Sequence, residues 1–243
     1  INYFFVLHSI CIFIPNMGLD IICKIKPFFL HLKGLCVFVC YFLISCNTAT
    51  HPRAADLEEV SLEYVSFENL FFGELDTPLE DIKAQFPFFF PDKTLDSLWL
   101  EKRIDSLQQQ LFNATKAISK SSLQSRVVRV FQYANYYFPE EKLPQTAISL
   151  LTDVDYSLRA VDAETMLLLS IDTYLGVDHP LYEGIPTYIK NNLTLKHLES
   201  EIIDALAPRF IPAPSGRTFL DQMVHNGKRL LLHDYLAPKL EPH

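Results

Sequence analysis

The side chains best suited to chemistry fall in one short stretch, Ser170 to Pro180 (SIDTYLGVDHP), where Asp172, Asp178 and His179 surround Tyr174 and Gly176. An imidazole titrates near neutral pH, so His179 can serve as acid or base, with the two carboxylates orienting it or binding calcium. Asp153 and Asp155, in DVDY, form a second acidic pair. The same residue types also build turns. Aspartate bonds its own backbone, Gly176 tolerates a positive φ and Pro180 sets the next step. Turn chemistry is the preferred reading of all five residues, and a hydrolase centred on Asp172, Asp178 and His179 is the alternative.

A metallopeptidase would make a different demand. A zincin places two histidines at i and i+4 on one helix with a glutamate as base, and takes a third ligand from the next helix. From Cys46 onward the histidines are His51, His179, His197, His225, His233 and His243, and no two stand four apart. Where the first helix would carry the motif the chain has Ser200, Glu201 and Asp204, and where the second would supply Glu-Gly it has Asn226-Gly227. A zincin-like fold is therefore expected only without its metal, as a degenerate metallopeptidase. The chain also lacks a phosphate-cradling glycine loop, a nucleophile elbow and a dinucleotide fingerprint, so no cofactor is expected.

Cys46 carries the clearest chemical signal. The run GLCVFVCYFLISC, Gly34 to Cys46, follows Lys24, Lys26 and Lys33 and ends in Leu43-Ile44-Ser45-Cys46, the form of a bacterial lipobox. A basic segment, an apolar core and a small residue before the cut make a secretory signal. The core is too short for a spanning helix, which needs about 20 apolar residues. Lipid on the Cys46 thiol would then hold the chain to a membrane, since two or more acyl chains anchor durably. All five cysteines, Cys11, Cys23, Cys36, Cys40 and Cys46, lie at or before the cut, which leaves no thiol for a disulfide or a thiolate metal site. The whole chain has a formal charge of -8, and the part from Cys46 onward is more acidic still, which argues against nucleic acid as a partner.

The elements that must position these groups can be read from periodicity. Leu57 to Phe67 reads as a bulged strand, and Thr77 to Gln85 as a short helix with Pro78 in its first turn. FPFFFP, Phe86 to Pro91, reads as a packing plug. Leu100, Ile104, Leu107, Leu111, Ala114 and Ile118 predict one helix from Leu95 to Ala117 with that stripe buried and Lys102, Arg103, Asp105 and Gln108 to Gln110 on the wet side. Leu123, Val127, Val130, Ala134 and Tyr137 predict a second helix, stopped by Pro139 and paired with the first as an antiparallel hairpin. Thr146 to Thr152 and Met166 to Ile171 are of strand length. Leu195, Leu198, Ile202 and Leu206 mark a helix ending before Pro208, with Thr194 as its cap. Phe219, Met223, Gly227 and Leu230 mark the last helix. The expected fold class is α+β and mainly helical: a helical hairpin, a small sheet, then two C-terminal helices.

The expected organisation is a signal peptide over 1–45, with 1–16 upstream of a start at Met17. A lipidated Cys46 and a polar linker follow over 46–56, and a single α+β domain occupies 57–243.

The chain also resembles the gliding-motility lipoprotein GldB family of Bacteroidetes. The resemblance is carried by FPFFFP, by Asp96-Ser97-Leu98-Trp99 leading into Asp105-Ser106-Leu107-Gln108, by Tyr136-Tyr137-Phe138-Pro139 and by Asp153-Val154-Asp155-Tyr156. Its most specific part is SIDTYLGVDHPLYEGIPTYI, Ser170 to Ile189, continued by Leu220-Asp221-Gln222-Met223 and Asn226-Gly227-Lys228. The resemblance implies a cell-envelope lipoprotein required for gliding motility and linked to the type nine secretion machinery, with other motility and secretion proteins as partners. It implies no catalytic activity. The family extends past the position of His243, so the domain is expected to be incomplete at its C-terminus.

Overall fold

The computed structural model describes residues 51–238. The expected signal peptide, the expected start at Met17 and Cys46 lie outside them. In chain order the elements are β1 (Glu63–Ser66), α1 (Leu79–Gln85), α2 (Asp96–Ile104), α3 (Ser106–Thr115), α4 (Lys120–Tyr137), β2 (Thr146–Leu150), β3 (Ala160–Ala163), β4 (Met166–Ser170), α5 (Leu198–Phe210) and α6 (Phe219–Leu236), with shorter helical turns between them. The class is α+β and mainly helical, as expected.

Four strands form one sheet in the order β1-β2-β4-β3. The first three are parallel, with Val65 facing Ile148 and Ile148 facing Leu168. β3 closes the edge antiparallel to β4, pairing Val161 with Leu168. The short apolar runs of β2 and β4 bury Ala147, Ile148, Leu167 and Leu169, which is why they were legible as strands. β3 was not legible. Its hairpin turns at Glu164, which adopts φ 60° without the glycine or asparagine that normally announces such a turn.

α4 keeps its predicted stripe: Leu123, Val127, Val130 and Ala134 are all buried. They pack chiefly against α5 and α6, so α4 follows α3 directly but finds its main neighbours at the other end of the chain. Pro208 does not end α5, which runs to Phe210. Burial of Leu206, Ala207 and Ile211 around it offsets the one backbone bond that proline forgoes. Thr194 makes no side-chain cap, and its hydroxyl is buried without a partner.

The predicted helix from Leu95 to Ala117 is two helices, and its buried face is inverted. Asp105 leaves the helical conformation (φ -59°, ψ 137°), and its carboxylate accepts from the N–H groups of Leu107 and Gln108, ending α2 and capping α3. Leu100, Ile104 and Leu107 face solvent, Ile104 being 70% and Leu107 54% exposed, while Arg103 and Gln108 are buried. Only Leu111 of the central stripe is in the core. The cause is local, because a break at Asp105 resets the helical phase that the spacing assumed to be continuous. In α6, too, Phe219, Met223 and Leu230 are exposed, whereas Leu232 and Leu236 are buried.

The stretch 51–56, expected to be linker, is seated on the domain. The His51 ring meets Tyr137 and Tyr235 edge-on, and the Tyr133 hydroxyl donates to the Pro52 carbonyl at 3.0 Å.

Candidate functional site

The carboxyl ends of the parallel strands bring together the loops that follow them. In open sheets of parallel strands this is where ligands commonly sit. Just past β1, Glu68 is buried and accepts from the Ser149 hydroxyl at 2.7 Å, with Lys120 Nζ 3.8 Å away. Burial raises the pKa of Glu68 above the usual carboxylate range.

Past β4, Asp172 is fully enclosed. Its Oδ2 accepts from the backbone N–H groups of Thr152 (3.0 Å) and Val154 (2.8 Å), and its Oδ1 from the Thr152 hydroxyl (3.4 Å). These bonds clamp the loop after β2, where Asp153 and Val154 both take positive φ (60° and 59°). For a β-branched residue such as Val154 that conformation is strained. Burial raises the pKa of Asp172, and the two backbone donors oppose the rise.

The remaining candidates make turn and rim contacts. Asp153 accepts from Gln108 Nε2 at 2.6 Å and pairs with Lys102 Nζ at 3.1 Å. Asp155 accepts from the backbone and hydroxyl of Ser157, and the hydroxyl bond in particular lowers its pKa. His179 Nδ1 accepts from the Leu181 N–H at 3.3 Å, opening the turn at Pro180–Tyr182, and Asp178 is exposed. Among the described residues no hydrogen bond or ion pair joins Asp172, Asp178 and His179 to one another. The structure thus brings Asp153 and Asp172 to one loop and leaves Asp178 and His179 to a separate turn. Tyr182, missed in the sequence, ties the two ends of that segment. Its buried hydroxyl donates to the Asp172 carbonyl at 2.7 Å and accepts from the Leu175 N–H at 2.9 Å.

The positions a zincin would use lie on α5 and α6. Glu201 pairs with Arg159 at 2.7 Å, and burial raises its pKa more than that arginine lowers it. Asp204 pairs with Arg229 at 2.5 Å and lies 3.3 Å from His233 Nε2. Asn226 donates to Gln222 within its own helix. Glu201 and Asp204 therefore face arginines, and a cavity of about 260 Å³ has Asp204, His225 and Arg229 among its lining residues. Among the described residues no group of three or more His, Cys, Asp or Glu side chains is close enough together to hold a metal ion. No helix among them is long and apolar enough to cross a membrane.

Arg103, missed as a structural residue, holds the wall of this end of the sheet. Its guanidinium donates to the carbonyls of Phe71 (2.8 Å), Glu74 (2.7 Å) and Thr77 (2.9 Å). The one signal that could have revealed the inversion was Asp105 three residues before Gln108, the spacing of a capping box.

Comparison with known proteins gave no match among curated proteins and none among solved structures. The family described as gliding motility protein GldB matches residues 47–243, which takes in every described element. The motifs from FPFFFP to Asn226-Gly227-Lys228 lie within that match, and the chain belongs to the GldB family of gliding motility proteins.

Proposed function

We propose that this GldB-family chain is a lipoprotein held to a cell-envelope membrane through Cys46, and that it serves gliding motility and the associated type nine secretion machinery by holding partner proteins. It acts as a structural or interaction component and turns over no substrate. The observation that carries this reading is the apolar surface left uncovered along α2 and α3, where Leu98, Leu100, Ile104 and Leu107 face solvent. Large apolar side chains left exposed in such number on one segment are a feature of interaction surfaces. Family membership supports the motility role, and the lipobox ending at Cys46 supports the anchor.

A hydrolase at Asp172, Asp178 and His179 is the weaker reading, because the Asp172 oxygens are occupied by the loop they clamp. The test is complementation of a strain lacking the protein with an Ile104→Glu, Leu107→Glu double variant. Normal abundance and membrane attachment with lost spreading supports partner-holding. Normal spreading overturns it.

A further inference from the structure

Beneath the loops at the carboxyl ends of β1 and β2 lies a pocket of about 210 Å³ whose walls are mostly aromatic. Phe67 and Phe71 come from the turn after β1, Phe89 and Phe90 from FPFFFP, and Trp99 from α2. The rings brace one another, with centroids 4.6 Å apart for Phe67 and Phe89 and 5.1 Å for Phe90 and Trp99. Lys102 is the one charged residue in the lining, and its Nζ is paired with Asp153 at 3.1 Å.

We propose that this pocket is a binding site for a single uncharged aromatic ring, presented as a Phe or Tyr side chain by a partner polypeptide. The proposal rests on the partner-holding reading above and names what one such partner supplies. Size limits the occupant. A cavity of about 150 Å³ already admits benzene, while sites for drug-sized molecules begin at about 300 Å³. At 210 Å³ the pocket suits one ring on a short stem.

Chemistry limits it further. The walls offer ring faces and edges, which favour another ring in stacked or edge-on contact. The rim cation is already paired with Asp153, which weakens its pull on a charged ligand. Surroundings favour a polypeptide over a free small molecule, because the same segment exposes Phe88, Leu95 and Leu98 to whatever carries the ring. Aromatic anchors in preformed pockets are the usual centres of protein interfaces. The pocket is preformed because Arg103 fixes the carbonyls of Phe71, Glu74 and Thr77 behind one wall.

The chain has one tryptophan, and it lines this pocket, so its emission reports directly on occupancy. The full chain, purified from membranes in detergent, is titrated with N-acetylphenylalaninamide to about 50 mM, well past the millimolar Kd expected of a one-ring contact. N-acetylalaninamide is the control. A saturable change with the phenyl compound alone is expected, and Leu150→Phe, which fills the pocket, should weaken it at least about fivefold. Should Leu150→Phe misfold, Phe89→Ala, which removes a wall, replaces it with the same expectation. No saturable change, or an equal response to the alanine compound or in the filled variant, overturns the proposal. That failure leaves the partner-holding reading intact, since it rests on Ile104 and Leu107. Ring binding together with lost spreading only in the Ile104→Glu, Leu107→Glu strain supports both. Ring binding with normal spreading in that strain sinks partner-holding and, with it, the partner polypeptide as carrier of the ring, which overturns the proposal.

Discussion

The guanidinium of Arg103 lies 2.8 Å from the carbonyl oxygen of Phe71, and this bond joins α2 to the aromatic wall at the end of β1. Arg103 is 3% exposed, and among the described residues no carboxylate pairs with it; two further carbonyls accept from the guanidinium. Burial lowers its pKa, but an arginine so far above neutrality stays charged.

Replacing Arg103 by Met should therefore cost roughly 2 to 5 kcal/mol, because three carbonyls lose their donors at once. Lysine in its place should recover little, as a point charge cannot match the guanidinium fork. Urea unfolding of the full chain measures both, and a loss under about 0.5 kcal/mol for Arg103→Met would remove the role assigned to it.

Leu111→Ala and Leu107→Ala should separate sharply although both lie on the same predicted stripe. Leu111 is in the core, so its truncation should cost about 2 to 5 kcal/mol. Leu107 is exposed, and its truncation should fall within about 0.5 kcal/mol of the parent. Thermal melts decide it, and equal losses would put the two side chains on one buried face.

Asp172→Ala should destabilise by roughly 2 to 4 kcal/mol, since it strips the N–H groups of Thr152 and Val154 of their acceptor in a loop that already holds two positive φ angles. Asp172→Asn keeps one carbonyl acceptor and should retain part of the clamp. Amide hydrogen exchange at Thr152 and Val154 reads this locally, and unchanged protection in the alanine variant would show that the loop holds itself.

The pH dependence follows from Glu68. Its folded pKa is raised by burial, so between the unfolded value and the folded one the native state binds more protons than the unfolded chain. The stabilising difference is present below the unfolded value of about 4.3 and is lost as pH rises through the raised folded value. Glu68→Gln keeps an acceptor for Ser149 but has no proton to lose. It should gain stability relative to the parent as pH climbs from about 4 toward 8, and parallel stability curves would contradict the assignment.

Cys46→Ser should release the chain from membranes, because the lipobox would place the acyl chains on that thiol. Fatty-acid labelling and fractionation check this. Label retained in the variant would rule out Cys46 as the lipid site.

Read alone, the sequence determined the α+β class, the α4 stripe of Leu123, Val127, Val130 and Ala134, the strands at Thr146 and Met166, and the packing role of FPFFFP. Each is a local pattern of apolar residues, most of which the fold buries. The family resemblance was likewise legible in its motifs. What only the tertiary structure decided is which face of an ambiguous segment is covered. The stripe through Leu100, Ile104 and Leu107 has helical spacing, yet the carbonyls of Phe71, Glu74 and Thr77 needed a donor, and Arg103 meets that need from the opposite face. β3 took its place at the sheet edge by pairing with β4, without a strong pattern of its own. Asp172 became a clamp only once Thr152 and Val154, eighteen to twenty residues earlier, were folded against it. Periodicity records what a segment can bury; long-range hydrogen bonding and competition for the core decide what it does bury.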